Sequence, residues 1–413
     1  MSRAGVQGNS TGAAKIRVVH IVPSTFGSTF FGQTHWLYSL LSGWKDDAIE
    51  LDIWGTKVRP RNIGSGNPDY QIETSLWPPG RKKDVSWRKL RNGFRQIAFV
   101  ATHSSSFDVV HLHTLSSGTL LLPLLIHVLG RKVVYQSSLY GSDNPGAVRA
   151  GSRGHLAVWL MRWLDGVVAM SPLLADDYRA FGFRNVVCLP NFLAIPQLKR
   201  GRDEAAREQV RKRLSIPADA AVLLFVGSVI ERKGVDLLAE CYARLASRHQ
   251  DLWMIVVGPK SRAESQSYDE RFVRGIRERM SNNAAASRVI WTGTVSDKDA
   301  LARYYSAADI FVFPTRAEGM PNVVCEAMTS GLPVVATNLQ GITDFVIEDG
   351  KTGFLFPPED IDALTEVVER LVLDPTLRAK MGQTARESSR RFGFEEYCTR
   401  LKAFYLKVAK LSP

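Results

Sequence analysis

The sequence predicts an α/β protein with two successive domains, each built on a parallel β-sheet. Short β-branched runs such as "KIRVVHIVP", "FDVVHLH" and "RKVVYQSS" alternate with segments whose apolar residues recur at helical spacing, a pattern typical of βαβ units. Proline and dense charge interrupt this alternation around residues 190–214, and it starts again at "AAVLLFVGSV". At 413 residues the chain is also longer than one hydrophobic core usually supports.

We therefore place the first domain at residues 15–195 and the second at residues 196–390. The opening residues 1–14 are small and polar and lack the apolar core of a signal peptide, so we predict a disordered leader. The longest apolar stretch, "TLLLPLLIHVLG", is about half the length of a membrane span, which favours a buried helix.

Cysteine spacing and charge bear on the cellular compartment of the protein and on its binding partners. The four cysteines are far apart and have neither metal-ligand nor redox spacing, so we expect a reduced, cytoplasmic protein. The net charge of +12 is uneven: residues 1–195 carry 21 Lys and Arg against 12 Asp and Glu, a net +9.

Much of this excess lies in the basic stretch Arg81–Arg95, "RKKDVSWRKLRNGFR", which has seven basic residues and one acidic residue, with Trp87 and Phe94 among them. Such a segment suits an anionic acceptor or an anionic membrane surface, where the protein would be peripheral at the inner face. A solvated basic helix face or loop explains it equally well.

Two glutamates flank the start of a predicted helix in the second domain. The strand "DIFVFP" runs into the loop "TRAEGMP", and "NVVCEAM" then opens a helix whose free N–H groups suit phosphate. Glu318 lies in the loop, and Glu326 lies about two turns later, where its carboxylate can accept hydrogen bonds from vicinal hydroxyls such as those of ribose. Gly319 allows a ligand to approach the backbone closely. Taken alone, the two glutamates are more simply explained as a cap and a solvated helix residue.

The wider pattern resembles the family-four retaining glycosyltransferases, also called group 1 glycosyl transferases. The segments that carry the resemblance are "FVGSVIERKG", "VIWTGTV", "FVFPTRAEGMPNVVCEAMTSGLPVVAT" and "QGITDFVIEDGKTGFLFPPED", in family order and spacing. The resemblance covers residues 220–372 strongly and residues 16–200 more weakly. It implies the GT-B fold, in which two Rossmann-like parallel-sheet domains face each other across a cleft. It also implies that the final segment, residues 391–413, is a helix returning to the first domain.

The resemblance also assigns site residues. It implies that Glu326 binds the ribose hydroxyls, that Glu318 lies beside the donor sugar and that Lys233 pairs with the diphosphate. His113, at the end of "FDVVHLH", would face the donor sugar. We therefore expect His113, Lys233 and Glu318 to be catalytic. The expected donor-binding set is Gly32, Gly227, Arg232, Lys233, Gly319, Met320, Pro321, Asn322, Val323 and Glu326.

One position departs from the family pattern. Ser228 stands where the family usually has an arginine that holds the diphosphate, and Arg232 could substitute for it. Two consequences of Ser228 therefore remain possible: weaker binding of the diphosphate, or an inactive protein. The spacing His111–x–His113 invites a metal site, but without a third ligand signal we expect no metal and no cofactor.

The sequence thus predicts a retaining glycosyltransferase of hexosyltransferase type, moving a sugar from a nucleotide-diphosphate sugar to an acceptor hydroxyl. The acceptor would be a carbohydrate or a lipid-linked molecule in polysaccharide, glycolipid or lipid-linked oligosaccharide biosynthesis, and no nucleic-acid partner is expected. Two alternatives remain: a non-catalytic nucleotide-sugar-binding protein of the same fold, and another GT-B enzyme such as a phosphorylase or an epimerase. The donor base, the sugar and the acceptor are not specified by the sequence.

Overall fold

The computed structural model describes residues 15–22, 32–54, 58–60, 70–72, 85–113, 115, 119–151, 154–193, 198, 203–265, 268–281 and 286–410. The predicted leader lies outside these residues. Of the basic stretch Arg81–Arg95, only the side chains from residue 93 onward are described.

The first domain alternates strands with helices, as the sequence predicts. Its strands are β1 Ile16–Ile21, β2 Ile49–Trp54, β3 Val58–Pro60, β4 Tyr70–Ile72, β5 Val109–Leu112, β6 Lys132–Ser137, β7 Gly166–Ala169 and β8 Val186–Cys188. Its helices are α1 Gly32–Gly43, α2 Val85–His103, α3 Leu122–Val128, α4 Pro145–Arg149, α5 Gly154–Met161 and α6 Pro172–Ala180. Six strands form a parallel sheet in the order β2-β1-β5-β6-β7-β8, while β3 and β4 pair antiparallel.

The second domain repeats this architecture. Its strands are β9 Ala221–Val226, β10 Leu252–Val257, β11 Val289–Gly293, β12 Ile310–Phe313, β13 Val334–Thr337 and β14 Gly353–Phe356. Its helices are α7 Glu204–Arg213, α8 Val235–Ala246, α9 Glu270–Ser281, α10 Lys298–Ala307, α11 Asn322–Thr329, α12 Thr343–Val346, α13 Ile361–Leu373 and α14 Pro375–Ser389. The sheet order is β11-β10-β9-β12-β13-β14, again parallel.

Each sheet has one place where the strand order reverses, and this place fixes the position of a binding site. The reversal lies between β1 and β5 in the first sheet and between β9 and β12 in the second. In open parallel sheets, ligands bind beyond the carboxyl ends of the strands at such switch points. The loops after β1, β5, β9 and β12 are therefore where the chemistry is expected.

The C-terminal helix joins the two halves. After α14 the chain passes through a short 3₁₀ turn into α15, Phe394–Ala409, whose buried residues Tyr397, Leu401, Phe404, Tyr405 and Val408 pack into the core of the first domain. Gly166 of β7 makes room for this helix, because a Cβ atom there would lie 2.7 Å from the ring of Phe404. The predicted return of the C-terminal helix to the first domain is confirmed.

Within the described part of the chain, no helix is both long enough and apolar enough to cross a membrane. The predicted buried helix in "TLLLPLLIHVLG" is the short α3, with Leu122 and Ile126 buried but Val128 73% exposed.

Candidate active site

A glycine brings the two loops of the second switch point together. Gly234 has φ +66° between a 3₁₀ turn and α8, and a Cβ atom there would lie 1.7 Å from the carbonyl oxygen of Pro314, just after β12. The backbone N–H of Arg316 donates to the carbonyl of Arg232 at 2.8 Å, and Thr315 Oγ1 donates to the same carbonyl at 3.1 Å. A side chain at position 234 would thus both strain the backbone and separate these loops.

This contact assembles a cluster of one carboxylate and two cations. Glu318 is only 6% exposed, and its Oε1 forms an ion pair with Lys233 Nζ. The same oxygen lies 3.2 Å from Arg232 Nη1 and accepts a hydrogen bond from Thr315 Oγ1 at 2.9 Å. The Lys233 ammonium also lies 5.0 Å above the centroid of the Phe313 ring. Two positive charges around one negative charge leave a net positive site, which suits a polyanion.

The environment of Lys233 favours an incoming anion. Burial lowers the pKa of Lys233; the Glu318 carboxylate opposes this effect, and the nearby Arg232 guanidinium reinforces it. An anionic group placed beside Lys233 would stabilise the protonated ammonium. Because the side chains of Lys233 and Glu318 are largely withdrawn from water, such an interaction would be stronger than at an exposed lysine.

Glu326 forms a second centre on α11. It is half-buried, and its Oε2 accepts a hydrogen bond from Tyr305 Oη on α10 at 2.8 Å. Burial raises the pKa of Glu326 to about 7, although the Tyr305 hydrogen bond and the Lys298 ammonium both lower it. The side chain can therefore change its ionisation state near neutral pH.

Gly319 lies where the two domains meet. A Cβ atom on Gly319 would lie 1.9 Å from the carbonyl oxygen of Ser138 and 3.0 Å from the Leu139 nitrogen, in the loop after β6. In this structure, the close approach that Gly319 permits is therefore to the backbone of the first domain. The loop is held by Asp143, whose carboxylate accepts hydrogen bonds from both the backbone N–H and the hydroxyl of Ser138 at 2.7 Å. The Asp143 side chain is thus directed into its own loop.

Most of the other predicted donor-binding residues lie in or next to the loops after β9 and β12. Met320 and Pro321 are buried, Asn322 and Val323 are half-buried at the start of α11, and the Asn322 N–H donates to the Met320 carbonyl at 3.0 Å. Gly227 follows β9 and packs against Gly258. A Cβ atom on Gly258 would lie 2.1 Å from the Gly227 carbonyl oxygen. The remaining predicted residue, Gly32, is the first residue of α1.

At the first switch point the structure brings three histidines together, whereas the sequence indicated only His111 and His113. His113 follows β5, and its Nε2 lies 2.8 Å from Nδ1 of His20, a residue of β1 that we did not identify from the sequence. His20 is directly opposite His111 in the parallel register and is fully buried. The three ligand atoms lie within 4.8 Å of one another, a spacing that could in principle hold a metal ion.

Comparison with known proteins decides the family. Residues 206–388 match the family described as "Glycosyl transferases group 1", and residues 32–191 match the family described as "Glycosyl transferase 4-like domain". The chain is 30% identical to the Alpha-D-kanosaminyltransferase of Streptomyces kanamyceticus over 67% of its own length and 71% of the relative's length. The chain belongs to the group 1 glycosyltransferases.

Other relatives fit this assignment. The glycosyltransferase is 25% identical over 327 residues to LpsE of Rhizobium meliloti, a lipopolysaccharide core biosynthesis glycosyltransferase, covering 76% of this chain and 84% of the relative. It superposes on Anabaena HepE, solved with UDP and glucose, with a TM-score of 0.71 at 17% identity over 95% of this chain and 100% of that one. The GT-B fold predicted from the sequence is confirmed.

The structure divides the predicted residues into groups. It brings Arg232, Lys233 and Glu318 into one cluster and places Glu326 further along α11, while His113 lies on the first domain. Sequence reasoning missed His20 and Tyr305. A polar residue inside an otherwise apolar strand was the available signal for His20, and nothing in the local pattern pointed to Tyr305.

The contact at Gly319 gives a first prediction. Gly319→Ala places a methyl group against the Ser138 carbonyl, so we expect the free energy of unfolding to fall by about 1–3 kcal/mol, as for other overpacked sites. Chemical denaturation measures this change, and hydrogen exchange of the loop after β6 should quicken. Gly275→Ala is the matched control, because a Cβ atom at Gly275 of α9 meets nothing within 4 Å. If Gly319→Ala matches the wild type in both measurements, the two loops are not in contact in solution.

Proposed function

We propose that this glycosyltransferase transfers a hexosyl group from a nucleotide-diphosphate sugar to an acceptor hydroxyl, with retention of the anomeric configuration. The observation that carries the proposal is the buried Glu318 carboxylate shared by Lys233 and Arg232 at the second switch point. This position is the one where a parallel sheet binds its ligand. A diphosphate matches the surplus positive charge there, and Glu326 supplies a carboxylate for a neighbouring ribose.

The mechanism follows from the charge that develops during transfer. The bond between the anomeric carbon and the leaving phosphate oxygen breaks, and the acceptor oxygen bonds to that carbon from the same face. The acceptor proton passes to the leaving phosphate. Lys233 and Arg232 stabilise the negative charge that grows on that phosphate, and the α11 N-terminus adds its backbone N–H groups. The protein acts through positioning and electrostatics, and this scheme needs no metal ion or cofactor.

One relative bears on the class of acceptor, because it is named a lipopolysaccharide core biosynthesis glycosyltransferase. We extend this to an acceptor in polysaccharide, glycolipid or lipid-linked oligosaccharide biosynthesis. A carbohydrate or lipid-linked acceptor would approach from the first domain, on the side of His113.

An apolar surface on the first domain favours binding of the protein to a membrane surface. The exposed large apolar side chains of this surface are Phe94 (62%), Leu121 (58%), Val128 (73%), Leu156 (56%) and Trp159 (51%). They come from α2, from the start and end of α3 and from α5, and α3 packs against both other helices. The Trp163 ring joins the surface, 4.8 Å from His127 and 6.4 Å from Trp159.

We assign one occupant to this surface, an anionic bilayer. Phe94 belongs to the basic stretch Arg81–Arg95, so apolar insertion and cationic attraction would act together, as in interfacial helices. The exposed guanidinium groups of Arg95 and Arg162 add positive charge near the same helices. The protein would then be peripheral to the membrane.

One experiment separates the proposed activity from its alternatives. The protein is incubated with a panel of nucleotide-diphosphate sugars, and donor hydrolysis is followed with and without acceptor extracts. We expect one donor to be hydrolysed slowly, and the anomeric coupling of the transferred sugar to match that of the donor. Binding without turnover of any donor would favour a nucleotide-sugar-binding protein, and inversion of configuration would contradict the proposed mechanism.

The raised pKa of Glu326 gives a prediction about donor binding. An ionised carboxylate accepts two hydrogen bonds from a ribose diol, whereas the protonated form does so poorly. Because the pKa of Glu326 is about 7, nucleotide affinity should strengthen as the pH rises, by about tenfold between pH 6 and 8 if only the ionised form binds. Calorimetry with a nucleoside diphosphate measures it, and Glu326→Gln should lose this part of the pH dependence. Equal pH profiles for the two proteins would remove Glu326 from the ribose site.

The two cations give a prediction about turnover. Lys233→Ala should lower kcat by roughly 10²–10³-fold, because charge on the leaving phosphate peaks in the transition state. Arg232→Ala should also be harmful, and Ser228→Arg should be tolerated or should improve binding. Lys351→Ala, at a lysine whose side chain is 72% exposed, is the control. Full activity of Arg232→Ala would refute the idea that Arg232 replaces the missing arginine.

The apolar surface gives a prediction about membranes. The protein should sediment with anionic vesicles in a salt-sensitive manner, since each basic residue near an anionic surface contributes about 1 kcal/mol. Binding should be lost when Arg81, Lys82, Lys83, Arg88 and Lys89 become Gln, and weakened by Phe94→Ser with Trp159→Ser. Leu373→Ser, at a leucine 65% exposed on the second domain, is the matched control. Equal binding to neutral and anionic vesicles, or no binding to either, would contradict this role.

A further inference from the structure

A chain of hydrogen bonds runs from the C-terminal helix to the end of β5. The Tyr405 hydroxyl of α15 lies 2.5 Å from His111 Nδ1 and 3.3 Å from His20 Nε2. His20 Nδ1 in turn lies 2.8 Å from His113 Nε2. Tyr405, His20 and His111 are fully buried. Tyr405 of the C-terminal helix is thus linked through His20 to His113, which follows β5.

Burial keeps every member of this chain neutral. It lowers the pKa of His20 and His111 well below the usual histidine value and that of His113 to about 3, with repulsion from the neighbouring rings adding to the effect at His20 and His111. Burial also raises the pKa of the Tyr405 phenol well above its usual value. Each imidazole therefore carries a single proton, on one of its two nitrogens.

Two proton arrangements satisfy these contacts, and they differ at His111. His111 Nε2 is buried and has no hydrogen-bond partner among the described residues. If Tyr405 donates to His111, the proton of His111 must sit on that unpartnered nitrogen, and buried N–H donors without partners are rare. If His111 donates to Tyr405 instead, the Tyr405 hydroxyl donates to His20 Nε2. His20 then donates from Nδ1 to His113 Nε2, so the proton of His113 sits on Nδ1.

A metal ion fits this cluster less well. The three rings are nearly parallel, with interplanar angles of 29°, 21° and 12° and centroids 4.7–5.2 Å apart. Ligand rings around one metal ion point their nitrogen lone pairs inward in their own planes, which stacked rings do not do.

We propose that Tyr405 is a positioning residue for His113. Through His20, the Tyr405 hydroxyl fixes the proton of His113 on Nδ1, so that the ring offers a hydrogen-bond donor at that atom instead of a lone pair. The consequence for catalysis rests on the proposed function and on the expectation, implied by the family resemblance, that His113 faces the donor sugar. The packing of α15 against the first domain would thereby determine whether His113 Nδ1 is a hydrogen-bond donor or an acceptor.

The direct test reads the proton positions and needs no activity. Long-range ¹H–¹⁵N spectra of histidine-labelled protein report which ring nitrogen is protonated. We expect His113 on Nδ1 in the wild type and a mixture of the two forms in Tyr405→Phe. The matched control is Tyr397→Phe, because the Tyr397 hydroxyl is buried on the same helix without a partner among the described residues. It should leave the spectrum of His113 unchanged.

Kinetics supply the second readout. Tyr405→Phe should lower kcat by roughly 2- to 10-fold, the net worth of a neutral hydrogen bond, with the KM for donor little changed. In a His113→Ala background it should have no further effect, because the two residues act as one unit. Tyr397→Phe should keep wild-type kcat.

Three outcomes would overturn the proposal. The first is an identical His113 spectrum in the wild type and Tyr405→Phe. The second is additive losses in the double variant, which would indicate a merely structural role for Tyr405. The third is a zinc titration that shifts the signals of all three histidines together at one equivalent, which would identify a metal site. Inactivity of every variant and of the wild type would refute the proposed function alone, since the spectra would still report the proton positions.

Discussion

The candidate site depends on one buried carboxylate, Glu318, which pairs with the mostly buried Lys233 and the partly exposed Arg232. Without Glu318, Lys233 and Arg232 would lie side by side with no counter-charge, and burying a cation in this way is costly. The ion pairs therefore position both cations before a ligand arrives, and their surplus charge remains available to a diphosphate. Thr315 donates to the same carboxylate oxygen and limits its movement. A preorganised site of this kind stabilises transition-state charge without rearranging.

The topology of the two sheets explains why these groups meet. Lys233 and Glu318 are 85 residues apart, yet both follow strands that are neighbours at the switch point between β9 and β12. Gly234 permits the contact, because only a residue without a side chain fits against the Pro314 carbonyl in the left-handed conformation. The switch point of the first sheet likewise brings together residues that are distant in the sequence, because His20 of β1 lies opposite His111 of β5.

Much of the fold and part of the candidate site could be predicted from the sequence, because they depend on local sequence patterns. Strand and helix periodicity gave both α/β domains, and the loop between β12 and α11 pointed to Glu318 and Glu326. The contacts that the sequence did not reveal depend on long-range register. Tyr405 reaches His111 across 294 residues, and Tyr305 reaches Glu326 from a neighbouring helix. The role of Gly319 in the contact between the domains also depends on how the two domains pack, which no local motif encodes.

The central claim is that the Glu318 cluster binds a diphosphate while Glu326 binds the attached ribose. A crystal structure of the protein with a nucleoside diphosphate tests it most directly. The account predicts phosphate oxygens within hydrogen-bond distance of Lys233 Nζ and Arg232, with both ribose hydroxyls on the Glu326 carboxylate. A nucleotide bound elsewhere, or one whose ribose points away from Glu326, would contradict it.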